Sequence, residues 1–288
     1  MIQYIYRKDI DVSKYDRCIA KSLQSRVYAY SWYLDVVAEN WDVLVLNDYE
    51  AVMPLPWKQR YLIKYITQPY FTQQLGVFSI ETITENQIED FLNQIPKKYL
   101  KIILQFNSHN ELSRNISKKN NYILDLDTSY KEIYKGFSKG RKHAIQQGIK
   151  KQLEITNISF KELLIVAKEN YSNLGLNDLD YQTLSNLINT LENRGKIILI
   201  GVKEENVLIG GSIFILDVDR IIYLFSAISK KGKEKQVASF LLNSIIEKYA
   251  ELKKTLDFEG SMNKGIATFF KSFGSKNEPY SVFKKRLL

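Results

Sequence analysis

Residues 255–274, TLDFEGSMNKGIATFFKSFG, gather two carboxylates and an ammonium about one strand-to-helix turn. Residues 255–258 alternate as a short strand, which delivers Asp257 and Glu259 to its C-terminal edge. Glu259-Gly260-Ser261 breaks that strand. Ser261 or Asn263 then offers a short side-chain oxygen to cap a helix. Ile266, Phe269, Phe270 and Phe273 recur at helical spacing, and Gly274 supplies the positive φ of a helix end. Lys271 falls on this helix beside the aromatics. The carboxylates are groups that take a proton, and the ammonium is one that stabilises developing negative charge. Each has a plainer alternative. The acids serve as well to cap the helix or pair with Lys264, and Lys271 to lay its stem on Phe270 or Phe273 with its head in water.

A second basic stretch opens at residues 138–143, SKGRKH, where a helix is expected to run to Gly148. Cations at a helix start oppose the helix dipole, and a bound anion would remove that conflict. Arg141 and Lys142 are therefore candidate substrate-binding residues, against solvated surface cations. A third lies at residues 229–238, SKKGKEKQVA, where Lys230, Lys231, Gly232 and Lys233 are candidates for binding phosphates. Tyr223, central in the second half, is a candidate proton donor. Tyr70, Gln73 and Gln74 sit in an aperiodic loop rich in Tyr, Phe and Gln, and are expected to line a cleft between the two halves.

The elements that must position these residues are mixed. In the first half helices are expected at 12–23, 31–39 and 85–94. Strands are expected at 41–47, 50–57, 61–67, 98–106 and 122–126. Lys58-Gln59-Arg60 reads as a polar turn, and Pro54 and Pro56 place their strand at an edge or bulge. In the second half a strand at 153–158 and helices at 159–171 and 181–191 precede an antiparallel meander, 196–202, 207–216 and 220–228. A helix at 237–252, the strand and helix of residues 255–274, and a last strand at 279–287 complete it. The fold class expected is α+β with mixed sheets, divided into domains at 1–128 and 129–288.

Composition bounds the function classes. The chain has 288 residues, a net charge of +9 and 25% charged residues, which suits a folded protein that meets phosphates or other anions. One cysteine, Cys18, leaves no internal disulfide and fits a reducing cytoplasm. Two separated histidines, His109 and His143, with that single cysteine argue against a metal site. No run is apolar enough to span a bilayer, and no signal peptide is expected at the N-terminus. No RNA-binding motif of the aromatic-platform type is present.

The order of elements resembles the GNAT N-acyltransferase fold, and two mixed halves resemble the tandem arrangement of the FemABX-like aminoacyltransferases. The resemblance rests on RKHAIQQGIKKQLEI, residues 141–155, and DFEGSMNKGIATFFKSFG, residues 257–274. The latter is similar to the family's D-F-x-G-S…G-I…F-K…F-G ending. No long two-helix arm is present, so the resemblance is to a compact form. It implies that Lys271 stabilises the acyl-transfer reaction and that Arg141 contacts a nucleotide diphosphate. In such a reaction an amine attacks an ester or thioester carbonyl, Asp257 or Glu259 takes its proton, and Tyr223 donates to the oxyanion or leaving group. No tightly bound cofactor is expected. The donor is aminoacyl-tRNA, or alternatively acetyl-CoA, and the partner an amine-bearing acceptor: a cell-wall precursor or peptide, or a small amine or amino sugar. The chain departs from CoA-dependent enzymes at residues 229–238, which lack the Gln/Arg-x-x-Gly-x-Gly/Ala spacing. A third reading is a non-catalytic binding module of the same fold.

Overall fold

A computed structural model describes residues 1–113, 116–171 and 175–286. The chain opens with β1 (Ile2–Tyr6), α1 (Val12–Lys21), α2 (Ser31–Val37), β2 (Asn40–Leu46), β3 (Ala51–Arg60), β4 (Ile63–Ile66) and β5 (Phe78–Ser79). It continues with α3 (Glu85–Asn93), β6 (Tyr99–Gln105), β7 (Ile116–Lys119), β8 (Tyr122–Asp125), α4 (Tyr130–Lys135) and α5 (Lys139–Lys150). Next come β9 (Ile155–Asn157), α6 (Phe160–Asn170), α7 (Asp178–Asn193), β10 (Ile197–Glu204), β11 (Val207–Leu216) and β12 (Arg220–Ile228). The rest is α8 (Lys230–Glu234), α9 (Val237–Tyr249), β13 (Thr255–Asp257), α10 (Lys264–Lys271), β14 (Lys276–Asn277) and β15 (Tyr280–Arg286).

Two compact units result, Met1–Asn120 with Pro279–Leu288, and Asn121–Glu278. The first holds an 8-stranded sheet in the order β1-β2-β3-β4-β6-β15-β7, with β5 beside β3. The second holds a 7-stranded sheet ordered β14-β8-β13-β12-β11-β10-β9. Both sheets are antiparallel apart from one parallel pair each, β4 with β6 and β12 with β13. The fold is therefore α+β with two mixed sheets and flanking helices.

The division differs from a cut at residue 128 in two places. β8 belongs to the second sheet, where it pairs with β13 and β14. β15 returns to the first, between β6 and β7. Alternation in residues 122–126 and 279–286 marks a strand but not the sheet that receives it. Leu287, the expected end of the last strand, lies outside the described residues.

Burial explains each unit. Leu44, Met53, Phe91, Tyr99 and Phe106 centre one core, and Phe214, Ile221, Leu241, Phe258 and Phe273 centre the other. Pro54 and Pro56 have a strand partner only in β2, because β5 covers Ala51 and Val52 and β4 ends at Ile66 opposite Trp57, with Thr67 N beyond it donating to Pro56 O. The prolines occupy the gap, where a strand tolerates a missing N–H.

Lys58-Gln59-Arg60 is not a turn. β3 runs through it, and the reversal falls on Tyr61 and Leu62, since Arg60 pairs with Ile63.

Candidate functional site

The site grows out of the parallel pair β12 and β13. Their register holds only from Arg220 opposite Thr255 to Ile222 opposite Asp257. β12 then continues to Ile228, whereas β13 ends, so the strands part. A register shift near Phe214 leaves Leu224 as an extra residue in β12, the signature of a bulge that bends the strand. The opening is a cavity of about 760 Å³. Its walls include Tyr171, Tyr223, Phe225, Phe258, Phe269 and Phe270. The ionisable groups other than tyrosine on those walls are Lys233 and Glu259.

α9 begins at the wall. Its cap residue, Gln236, has φ 64 and makes no side-chain cap bond. Gln236, Val237, Ala238 and Ser239 all line the cavity. A helix start without a side-chain cap presents orphan N–H groups and the positive end of the dipole, which together favour an anion. Arg141, from α5, adds a second positive feature. Its Nη1 donates to Ser239 Oγ, and its Nε donates to Ser272 Oγ at 2.8 Å. The guanidinium lies over Phe269 and Phe273, at 4.2 and 4.7 Å from their ring centroids. Burial pulls its pKa down to about 10. Among the described residues it meets no carboxylate.

Local sequence accounts for this placement. Ser138 caps α5, accepting from Arg141 N at 3.2 Å, and so fixes the turn that aims the guanidinium. Asn263 caps α10 through bonds from Gly265 N at 2.9 Å and Ile266 N at 3.3 Å. Gly274 follows α10 at φ 77, as the sequence pattern anticipates. α10 thus turns Phe269 and Phe270 to the cavity.

Tyr223 and Glu259 reach the cavity wall. Burial raises the Tyr223 pKa, while the nearby Ser226 and Ser212 hydroxyls act in the opposite sense. The phenol is therefore held protonated, a proton donor. Glu259 sits just past β13 at φ 55, a left-handed conformation. Its N–H donates to Asp257 Oδ1 at 2.9 Å.

Asp257 does not join them. Its side chain is 2% exposed and its Oδ2 lies 2.8 Å from Arg220 Nη1. Arg220 in turn meets Glu278 at 2.8 Å. Burial alone would lower the Arg220 pKa, but the two carboxylates outweigh it and raise it. The expectation that Asp257 accepts a proton meets a carboxylate held in a buried ion pair, which favours a structural role. Lys271 is exposed, with Nζ 5.6 Å from the Tyr122 ring centroid, and is not among the wall residues. Arg220 and Glu278 were missed, since they lie 37 and 21 residues from Asp257 in sequence; no local pattern links them.

The basic candidates separate. Lys142 donates to Lys135 O at 3.0 Å and lies 5.5 Å from the Tyr134 ring, so it braces α4. Lys231 forms an ion pair with Glu204 at 2.6 Å, and Lys235 bonds to the same carboxylate. Lys230 is exposed. Lys233 reaches the cavity wall and lies 5.0 Å from the Tyr171 ring. Gly232 is closely packed: a Cβ there would fall 2.2 Å from Ile209 O. α8 therefore lies directly on β11.

Tyr70, Gln73 and Gln74 belong to the first unit. Tyr70 is 54% exposed, whereas Gln73 and Gln74 are buried. Gln74 Nε2 donates to Gln73 Oε1 at 2.7 Å, and Gln74 Oε1 accepts from Ser108 N at 2.9 Å. Through these bonds the Gln74 amide ties its loop to Gln73 and Ser108.

Comparison with solved structures decides the architecture. FemX matches with a TM-score of 0.70 at 12% identity, covering 97% of this chain and 96% of that one. A tandem GNAT protein from the clavulanic acid biosynthesis pathway matches at 0.55 and 10%, covering 100% and 99%. The chain has the tandem GNAT fold. L-PGS from Bacillus licheniformis shares this fold, with a TM-score of 0.57 at 13% identity over 96% of this chain and 92% of that one. No family model and no curated protein matches the sequence. Each of the two units carries one parallel pair, β4–β6 in the first and β12–β13 in the second. Among the described residues, no helix is long and apolar enough to cross a membrane.

Proposed function

We propose that this protein is an acyltransferase that carries an aminoacyl group from tRNA to an amine on a cell-wall precursor or peptide. The observation that carries acyl transfer is the parting of β12 and β13 over the aromatic cavity, with the start of α9 at its wall. An acyl ester fits between the strands, and its phosphate-bearing end meets Lys233 and the first amides of α9. The acceptor amine attacks the ester carbonyl and a C–N bond forms. The C–O bond to the ribose breaks, and the amine's proton leaves to Glu259 directly or through water. Tyr223 donates to the oxyanion or the departing oxygen. Lys271, outside the cavity wall, contributes through the wider field or not at all.

The preference for tRNA follows from residues 229–238. In place of a loop wrapped round a pyrophosphate stands α8, packed on β11, with Lys231 and Lys235 held by Glu204. Few groups remain for a diphosphate, while the charge of +9 suits a polyanion. One observation favours acetyl-CoA as the second reading: α9 starts without a cap, a place where a pyrophosphate would be welcome. The acceptor would then be a small amine or amino sugar.

Calorimetry with charged tRNA and with acetyl-CoA, at two salt concentrations, tests the choice. Saturable tRNA binding that weakens with salt, and that transfers its aminoacyl group to an added amine, supports the proposal. Saturable CoA binding lost in Lys233→Glu supports the second reading. Binding of neither leaves a non-catalytic module of the same fold.

A further inference from the structure

The β3–β4 hairpin ends in a two-residue turn, Tyr61-Leu62, between the paired Arg60 and Ile63. Tyr61 is 84% exposed, Leu62 95% and Ile63 45%. Leu62 is the most exposed large apolar side chain among the described residues. The backbone makes this choice of residues more notable. Tyr61 has φ 53, whereas turns with positive φ at the first central position ordinarily take glycine. A tyrosine there costs strain and gains no burial within the chain. Gln59 Nε2 donates to Tyr61 O at 2.9 Å, so the tip is held in shape.

The surroundings are basic. Arg60 flanks the turn, with its guanidinium 5.7 Å from the Tyr61 ring centroid. β4 and β6 run parallel, with Lys64 opposite Tyr99, so the start of β6 lies at the same end of the sheet as the tip. Lys97 lies two residues before β6, and Lys101 pairs with both Tyr65 and Arg286. Arg60, Lys97, Lys101 and Arg286 are exposed, and among the described residues none meets a carboxylate. Lys58, nearby, is held by Glu39 at 3.8 Å.

We propose that this hairpin tip docks on an anionic lipid surface, Tyr61 and Leu62 entering the headgroup layer while Arg60, Lys97, Lys101 and Arg286 face acidic headgroups. The geometry favours a bilayer over a protein. Two side chains on a narrow tip offer far less than the roughly 800 Å² per partner of a stable protein interface. A bilayer surface accepts isolated apolar side chains beside cations, and tyrosine suits its interface. Nucleic acid would use the same cations but gains nothing from Leu62. The inference is independent of which acyl donor is used, since it rests on the first unit alone.

The test is cosedimentation of the full chain with vesicles of phosphatidylcholine alone and with about a third phosphatidylglycerol. Wild-type protein is expected to bind the anionic vesicles and not the neutral ones. Leu62→Asp should weaken binding by roughly ten- to hundredfold, the scale of burying one leucine. Arg60→Glu should weaken it in a salt-dependent way. Both positions are exposed, so thermal midpoints near that of the wild type confirm folding. Leu62→Trp should show a blue-shifted emission on adding anionic vesicles. Failure to bind anionic vesicles at low salt overturns the proposal. So does binding that Leu62→Asp leaves unchanged and that tRNA competes away, because the surface would then be a charge-only nucleic-acid face.

Discussion

Removing Arg220 separates two uses of Asp257. Arg220 and Asp257 have side chains 7% and 2% exposed, and Glu278, their third member, is 18% exposed. The triad sits where β12 and β13 are still in register, immediately below the point at which they part. Arg220→Ala leaves two carboxylates in low dielectric with no cation, a loss of roughly 3–5 kcal/mol. For a unit of this size each kcal/mol moves the midpoint by roughly 2–4 °C. The expected fall is therefore on the order of 10 °C, read by thermal denaturation followed by circular dichroism. Asp257→Asn keeps the oxygen that accepts from Glu259 N and leaves Arg220 paired with Glu278, so its cost should be smaller, about 1–3 kcal/mol. If Asp257→Asn abolished transfer with an unchanged midpoint, the assignment of this carboxylate to structure would be refuted and a role in chemistry restored.

Gly232→Ala should destabilise the protein by about 1–3 kcal/mol, because the new Cβ meets a backbone oxygen, Ile209 O, that has little freedom to yield; urea denaturation measures it. Burial pushes the Cys18 thiol up to about 12 from its ordinary value of about 9. The folded thiol stays protonated where the unfolded one ionises, so its contribution is complete below about pH 9 and lost as pH rises toward 12. The stability difference between wild type and Cys18→Ala should narrow over that window. At about pH 8 the native thiol should resist a thiol reagent that the unfolded chain consumes.

Local patterns made much of the second unit legible. The meander of β10, β11 and β12 announces itself by strand-length apolar runs between Glu-Glu-Asn and Asp-Val-Asp turns. Asn263 and Gly274 bracket α10 through capping and positive φ, both properties of single residues. What failed depends on distance or on absent signals. The Tyr61-Leu62 reversal carries no glycine, proline or asparagine, while Lys58-Gln59-Arg60 has a polarity that mimics a turn. β1 occupies the first residues of the chain, too few to show a period beside the neighbouring helix. The basic stretch of α5 marks Arg141 as a candidate, but its guanidinium reaches α9 and α10 through serines and phenylalanines that no spacing rule connects to it.

The proposed site of the acyl donor is the cavity between β12 and β13. Ala238 lines that cavity at the start of α9, and Ala238→Trp fills it from an accessible position. Calorimetric titration of this variant with charged tRNA, alongside wild type and with the thermal midpoint checked, is the direct measurement. Wild type should bind saturably and a folded Ala238→Trp at least about tenfold more weakly, the scale of one lost contact set. Equal affinities in the two proteins would place the donor elsewhere.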